Sequence, residues 1–178
     1  MKVLKSHRDE HFLRWNQDDF IRLGYLSSAA KFGYMPVKDM QRGDTTHESE
    51  TWLRMNKKQN AHLLEKLHES IPRDGMINPL ILVSTQNPHW VNYVGVGKTF
   101  WSHIPFIIQT GNNRYQVARE NGYTHISSII FGPSVDPRVW NYMQRELKKP
   151  LGEVLYVDKA FLINHFGTSG FGPEESRI

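Results

Sequence analysis

The chain has 178 residues, 39% of them hydrophobic and 12% aromatic, a length suited to one domain with appended segments and a composition able to form a core. No run of about 18 apolar residues offers a membrane span, and zero cysteines exclude disulfides, thiolate metal sites and cysteine nucleophiles. A net charge of +4 permits polyanionic partners, yet Lys and Arg are scattered without a basic block.

The start, "MKVLKSHRDEHFLRW", has no apolar signal-peptide stretch and carries acids, so a cytoplasmic location is the expectation. In chain order, "DDFIRLGYL" predicts a short helix capped by Asp18 or Asp19 and stopped near Gly24. "YMPVKDM" reads as a short strand and "QRGDTTHESE" as a polar loop. Over residues 56–71, Leu64, Leu67 and Ile71 recur at helical steps, and Pro72 is expected to end that helix. "NPLILV" is a continuous apolar run of strand length, the pattern of a strand buried on both faces.

Residues 89–105 alternate aromatics with glycines, which predicts a hairpin or flap. "PFIIQ" is a strand running into Gly111, followed by a helix over 113–121 with Asn112 as N-cap and Gly122 as its left-handed stop. "HISSIIFG" is the next strand. Asp136 and Pro137 then start a helix whose apolar face is Val139, Trp140, Met143 and Leu147 and which Pro150 breaks. A strand "EVLYV" and a helix "DKAFLINHF" precede a Gly- and Ser-rich tail.

The step from Gly111 into a helix carries the chemistry. Free amides of a first helical turn and the helix dipole favour an anion; Gly111 permits close approach, Asn112 and Asn113 add amide donors, Arg114 a fixed cation, and Thr110 a hydroxyl. The plain alternative is a capped helix whose Arg pairs with a surface acid. "VGVGKT" is not a phosphate loop, because Asn92 stands where the first Gly belongs; Lys98, a solvated flap lysine of unfixed position, is kept as a candidate phosphate contact. His7 and His11 lack the Glu of a metalloprotease motif, with Arg8 in its place, and are read as surface histidines; no metal ligand is assigned.

Taken together, "HLLEKLHESIPRDGMINPLILV" and "FIIQTGNNRYQVARENGYTHISSIIFG" resemble the ParB/sulfiredoxin superfamily across roughly residues 33–132. The matching positions are Ser70, Ile71, Gly75, Pro79, Ile81, Gly111, Arg114, Ala118, Gly122, Ile129 and Ile130. Partition proteins of that group carry Gly-Glu-Arg-Arg at this step, so the acid associated with their metal is absent here, as is the Cys that sulfiredoxins need. The resemblance implies an α+β fold: a small mixed sheet with packed helices and a C-terminal helical addition. It divides the chain into an N-terminal extension (1–30), the ParB-like domain (31–132) with the aromatic insertion, the helical addition (133–166) and a flexible tail (167–178).

It further implies a phosphate-binding domain for a nucleotide (CTP, ATP or ADP, with Mg2+) or for DNA. The alternatives are a metal-dependent nuclease or nucleotide-dependent phosphotransferase, with Asp39, Asp44, Glu48 and Asp74 as candidate catalytic carboxylates, and a non-catalytic module whose aromatic insert docks a protein partner. A stand-alone domain with such flanks also resembles what a phage or mobile element encodes.

Overall fold

A computed structural model describes residues 1–13, 30–43, 50–89, 104–133 and 135–157. It is built on a mixed six-stranded sheet: β1 (Val3–Leu4), β2 (Ala30–Pro36), β3 (Met40–Arg42), β4 (Leu80–Ser84), β5 (Phe106–Thr110) and β6 (His125–Phe131). The helices are α1 (Asp9–Leu13), α2 (Glu50–Gln59), α3 (Ala61–Asp74), α4 (Asn112–Glu120) and α5 (Pro137–Glu146). The expected α+β class, a small mixed sheet with packed helices, is what is observed.

The apolar runs explain the layering. In β4, Leu80 and Leu82 enter one core cluster while Ile81 and Val83 enter the other, so both faces of the strand are covered. The same alternation sends Phe106 and Ile108 of β5 one way and Ile107 the other. One cluster joins the sheet to α5 through Val139, Trp140 and Met143; the second joins it to α3 and α4 through Leu64, Ile71, Val117 and Ala118. Burying such a side chain stabilises by roughly 1.5–3 kcal/mol.

Strand β6 is the hub. Antiparallel β2 pairs with it from Ala30↔Phe131 to Pro36↔His125, the whole of one edge. Its other edge is therefore shared, by parallel β1 at Val3↔His125 and by parallel β4 from Leu80↔Ser128 to Val83↔Phe131. Two residues thus bring the N-terminal segment into the sheet.

A buried carboxylate fixes that segment further. Asp9, at 6% exposure, accepts hydrogen bonds from the Ser6 amide (3.1 Å), the Ser6 hydroxyl, the Ser127 hydroxyl on β6 (2.6 Å) and the Tyr34 hydroxyl on β2 (2.8 Å). Four donors are what a buried charge requires.

Several boundaries differ from expectation. The helix read over 56–71 is two helices parting at Asn60, and Pro72 lies inside α3 rather than ending it. Proline in the last turn removes one amide only; the chain leaves at Gly75, whose φ of 75° ends the helix and whose amide reaches Ile71 O (2.9 Å). The strand read in "YMPVKDM" is interrupted by a 3-10 turn at Val37–Asp39. Asn112 is the first residue of α4 and Gly111 its cap, in the left-handed region at φ 111°. "EVLYV" forms no strand: the Tyr156 amide is taken by the Glu146 carboxylate (3.0 Å), so it joins no ladder, although Leu155 and Val157 are buried. The helices read at 18–24 and 158–166, the 89–105 flap except its ends, and the tail lie outside the described residues. Among the described residues no helix is long and apolar enough to cross a membrane.

Helix α4 is anchored by a polar knot. Fully buried Arg42, at the end of β3, donates to Gln116 Oε1 (2.9 Å), which also accepts from Asn56 Nδ2 of α2 (3.0 Å). Gln116→Leu removes an acceptor from a buried cation and from a buried amide at once. It should lower unfolding stability by about 1–3 kcal/mol, read as a lower urea midpoint at unchanged slope; an unmoved midpoint contradicts the anchoring role.

The Asp9 cluster sets an alkaline limit. Burial, and then the hydrogen bond and charge of Asp9, push the Tyr34 hydroxyl up to about 12 from 10.0. The folded state resists deprotonation, so this contribution is complete below pH 10 and disappears as pH rises to about 12. Thermal unfolding across that window should show the loss in the wild type and a flatter profile in Tyr34→Phe.

Candidate functional site

The 111–114 step sits where β5 passes into α4. A Cβ on Gly111 would lie 2.3 Å from Leu80 Cδ2 and 2.9 Å from the Arg114 guanidinium, so this glycine is demanded by close packing as well as by its φ. The space that a side chain would fill is occupied by the protein itself. Asn112 turns sideways: its Oδ1 accepts the Gly43 amide (3.0 Å) and ties the end of β3 to α4.

Arg114 folds back under the entry to β4. Its Nη1 donates to the carbonyl oxygens of Asn78 and, at 3.4 Å, of Pro79. Its charge meets no carboxylate among the described residues, and burial lowers its pKa to about 10. Two neutral carbonyls stabilise a cation less than a carboxylate does. The plain expectation, pairing with a surface acid, is therefore not what the guanidinium does.

Arg114 borders a cavity of about 500 Å³ between the C-terminal half of α3, the 75–78 turn and the C-terminal turn at Leu151. Its wall is mainly apolar, from Leu67, Ile71, Met76, Ile77 and Leu151. Polar groups come from Arg114, Ser70, Asn78, His7 and Asp74. The Asp74 carboxylate is held by Arg73 (2.9 Å). The size falls within the roughly 300–1,000 Å³ of small-molecule sites, and a few polar groups on an apolar wall is their usual make-up.

Of the residues singled out in the sequence, Arg114 and Asp74 thus share one cavity. Thr110, Gly111, Asn112 and Asn113 stand behind it rather than in its lining. The Thr110 hydroxyl, Asn113 Oδ1 and Asn78 Oδ1 are buried with no partner among the described residues. Asp39 lies in the 3-10 turn after β2 and does not line the cavity. Asp44, Glu48 and Lys98 lie outside the described residues. No cluster of three or more metal-ligating side chains occurs among the described residues.

Two lining residues escaped sequence reasoning. Asn78 looked like the start of a strand, yet its carbonyl holds Arg114 and its Nδ2 reaches Leu147 O (2.9 Å), linking the cavity to the C-terminal turn. His7 is exposed, as read from the sequence, yet it borders the cavity because residues 5–7, just after β1, are stitched to Met76. Neither has a local signal, since the partnerships span 36 residues (Asn78 with Arg114), 69 (Asn78 with Leu147) and 67 (His7 with Asp74).

Comparison with known proteins gives little beyond the fold. No family model matches the chain, and no curated protein matches it. Among solved structures, sulfiredoxin from Arabidopsis thaliana is similar at 13% identity and a TM-score of 0.36, over 67% of this chain and 98% of that one.

Proposed function

We propose that the chain binds a nucleotide, with the phosphates at Arg114 and the base and sugar against the apolar wall of the cavity. The observation that carries this reading is a part-buried guanidinium lining a cavity with no carboxylate partner among the described residues. A cation in such surroundings is costly, and an anionic ligand offsets that cost.

Among the phosphate-bearing candidates, the wall supports a nucleotide. A nucleic-acid backbone is met by open basic surface, whereas Leu67, Ile77 and Leu151 beside the cation suit a ligand that is charged at one end and flat and apolar at the other. A nucleotide has that form. Ser70 supplies a hydroxyl within the same lining, and Asp74 is the one carboxylate there among the described residues, the residue that would share a Mg2+ carried in on the phosphates. Whether CTP, ATP or ADP is preferred depends on the base.

The test is calorimetric titration of ADP, ATP and CTP, with and without Mg2+, into wild type and Arg114→Ala, with thermal unfolding as the folding control. Losing a charged hydrogen bond costs about 1.5–3 kcal/mol, so the variant should bind roughly ten- to a hundredfold more weakly. Equal affinity in a folded Arg114→Ala protein removes the assignment. Binding of short DNA but of no nucleotide turns the reading toward a nucleic-acid site.

A further inference from the structure

The N-terminal segment contributes more to this cavity than a wall. Its backbone is pinned to the 74–76 turn: the Met76 amide donates to Lys5 O (3.0 Å), and the His7 amide donates to Met76 O (2.9 Å). At Gly75 a Cβ would stand 2.9 Å from Lys5 O, so the two chains run in contact there. The His7 ring makes a third tie, with Nε2 at 2.7 Å from Asp74 O.

That last distance has a chemical consequence. A carbonyl oxygen only accepts, so Nε2 must carry a proton. In the neutral ring the lone pair then sits on Nδ1. His7 lines the cavity with its Nε2 committed to the turn, which leaves Nδ1 as the ring atom available to a ligand. A protonated ring would keep the Asp74 tie and present an N–H from Nδ1.

We infer that His7 is a second polar contact for the ligand of this cavity, through Nδ1, and that imidazole protonation strengthens the hold on an anion already bound by Arg114. The inference rests on the nucleotide reading and adds to it a residue and a pH dependence. The charged residues that line the cavity with His7 are Asp74, paired with Arg73, on α3 and Arg114 on α4; Glu65, Lys66 and Glu69 of α3 and Arg119 and Glu120 of α4 are not in the lining. In its own segment they are Lys5, Arg8, Asp9 and Glu10; Lys148, Lys149 and Glu153 flank Leu151 on the C-terminal turn. Asp9 is committed to Ser6, Ser127 and Tyr34, and Arg8 to Lys149 O. Among the described lining residues His7 is the one imidazole.

The experiment is ADP affinity from about pH 8 to about pH 5 in wild type, His7→Gln and Arg114→Ala. Glutamine can keep the hydrogen bond to the Asp74 carbonyl and does not titrate. The terminal phosphate of ADP itself titrates in this range, so the quantity read is the difference between wild type and His7→Gln. Acidification should strengthen wild-type binding by roughly tenfold more than that of the variant, the worth of one added charged hydrogen bond. Identical pH responses, with binding still dependent on Arg114, overturn the His7 contact and leave the nucleotide site standing. Absence of any Arg114-dependent binding overturns both. If His7→Gln does not fold, the wild-type protein decides: its His7 ring resonances should titrate at higher pH once ADP is added, and an unmoved titration overturns the contact.

Discussion

The arrangement turns on one guanidinium held by main-chain carbonyls. Arg114 reaches from the first turn of α4 to the carbonyls of Asn78 and Pro79, just before β4 enters the sheet. It can do so only because Gly111 leaves the room: Leu80 and the guanidinium itself fill the space where a Cβ would stand. The contact therefore joins α4 to the chain entering β4 and fixes the positive charge at the cavity, beside the Gln116 bonds that anchor the same helix. The fold tolerates that charge because its own carbonyls solvate it in part, while among the described residues no carboxylate pairs with it.

Around this contact the protein is closed by long-range polar ties rather than by more apolar burial. Asn78 carries two at once, its carbonyl to Arg114 and its amide to Leu147 O, so the C-terminal turn bearing Leu151 is held to the same point. On the far side Asn112 accepts from Gly43, and Gln116 joins β3 to α2. Asp9 fastens the N-terminal segment to β6 and β2. Each tie places a buried polar group whose loss leaves a partner unsatisfied, which penalises alternative packings more than it favours the native one. Directional bonds of this kind suit a cavity whose lining must keep its geometry.

What the sequence made legible follows from the range of the forces involved. β4, β5 and β6 announce themselves because every second residue of an uninterrupted apolar run serves one of two cores, and α5 because Asp136 accepts the Arg138 amide (2.8 Å) beside Pro137, a local pattern. The glycine stop at Gly122, φ 78°, is equally local. β1 is two residues long and has no periodicity to read; it exists because β6 leaves part of an edge open below β4. The break at Val37–Asp39 and the passage of α3 through Pro72 are decided by tertiary packing, which overrides propensity at both places. For the site, residue types were legible and directions were not: the Gly, Asn and Arg of the step were singled out together, yet Asn112 serves the fold and only Arg114 borders the cavity.

The same division explains why the lining is assembled from distant parts of the chain. His7 comes from the segment fixed by β1, Ser70 and Asp74 from the end of α3, Asn78 from the turn before β4, Arg114 from α4, and Leu151 from the turn after α5. No one of these elements could form the cavity alone. A ligand that touches Arg114 and the apolar wall therefore binds the folded state only, and stabilises it by mass action as its concentration exceeds its dissociation constant. Because the guanidinium is the point at which α4 and β4 are joined, an anion there also changes the balance of the bonds to Asn78, and through Asn78 the hold on the C-terminal turn. A ligand there would be coupled to the packing of that turn through Asn78, whose main-chain carbonyl holds Arg114 and whose side-chain amide holds Leu147 O.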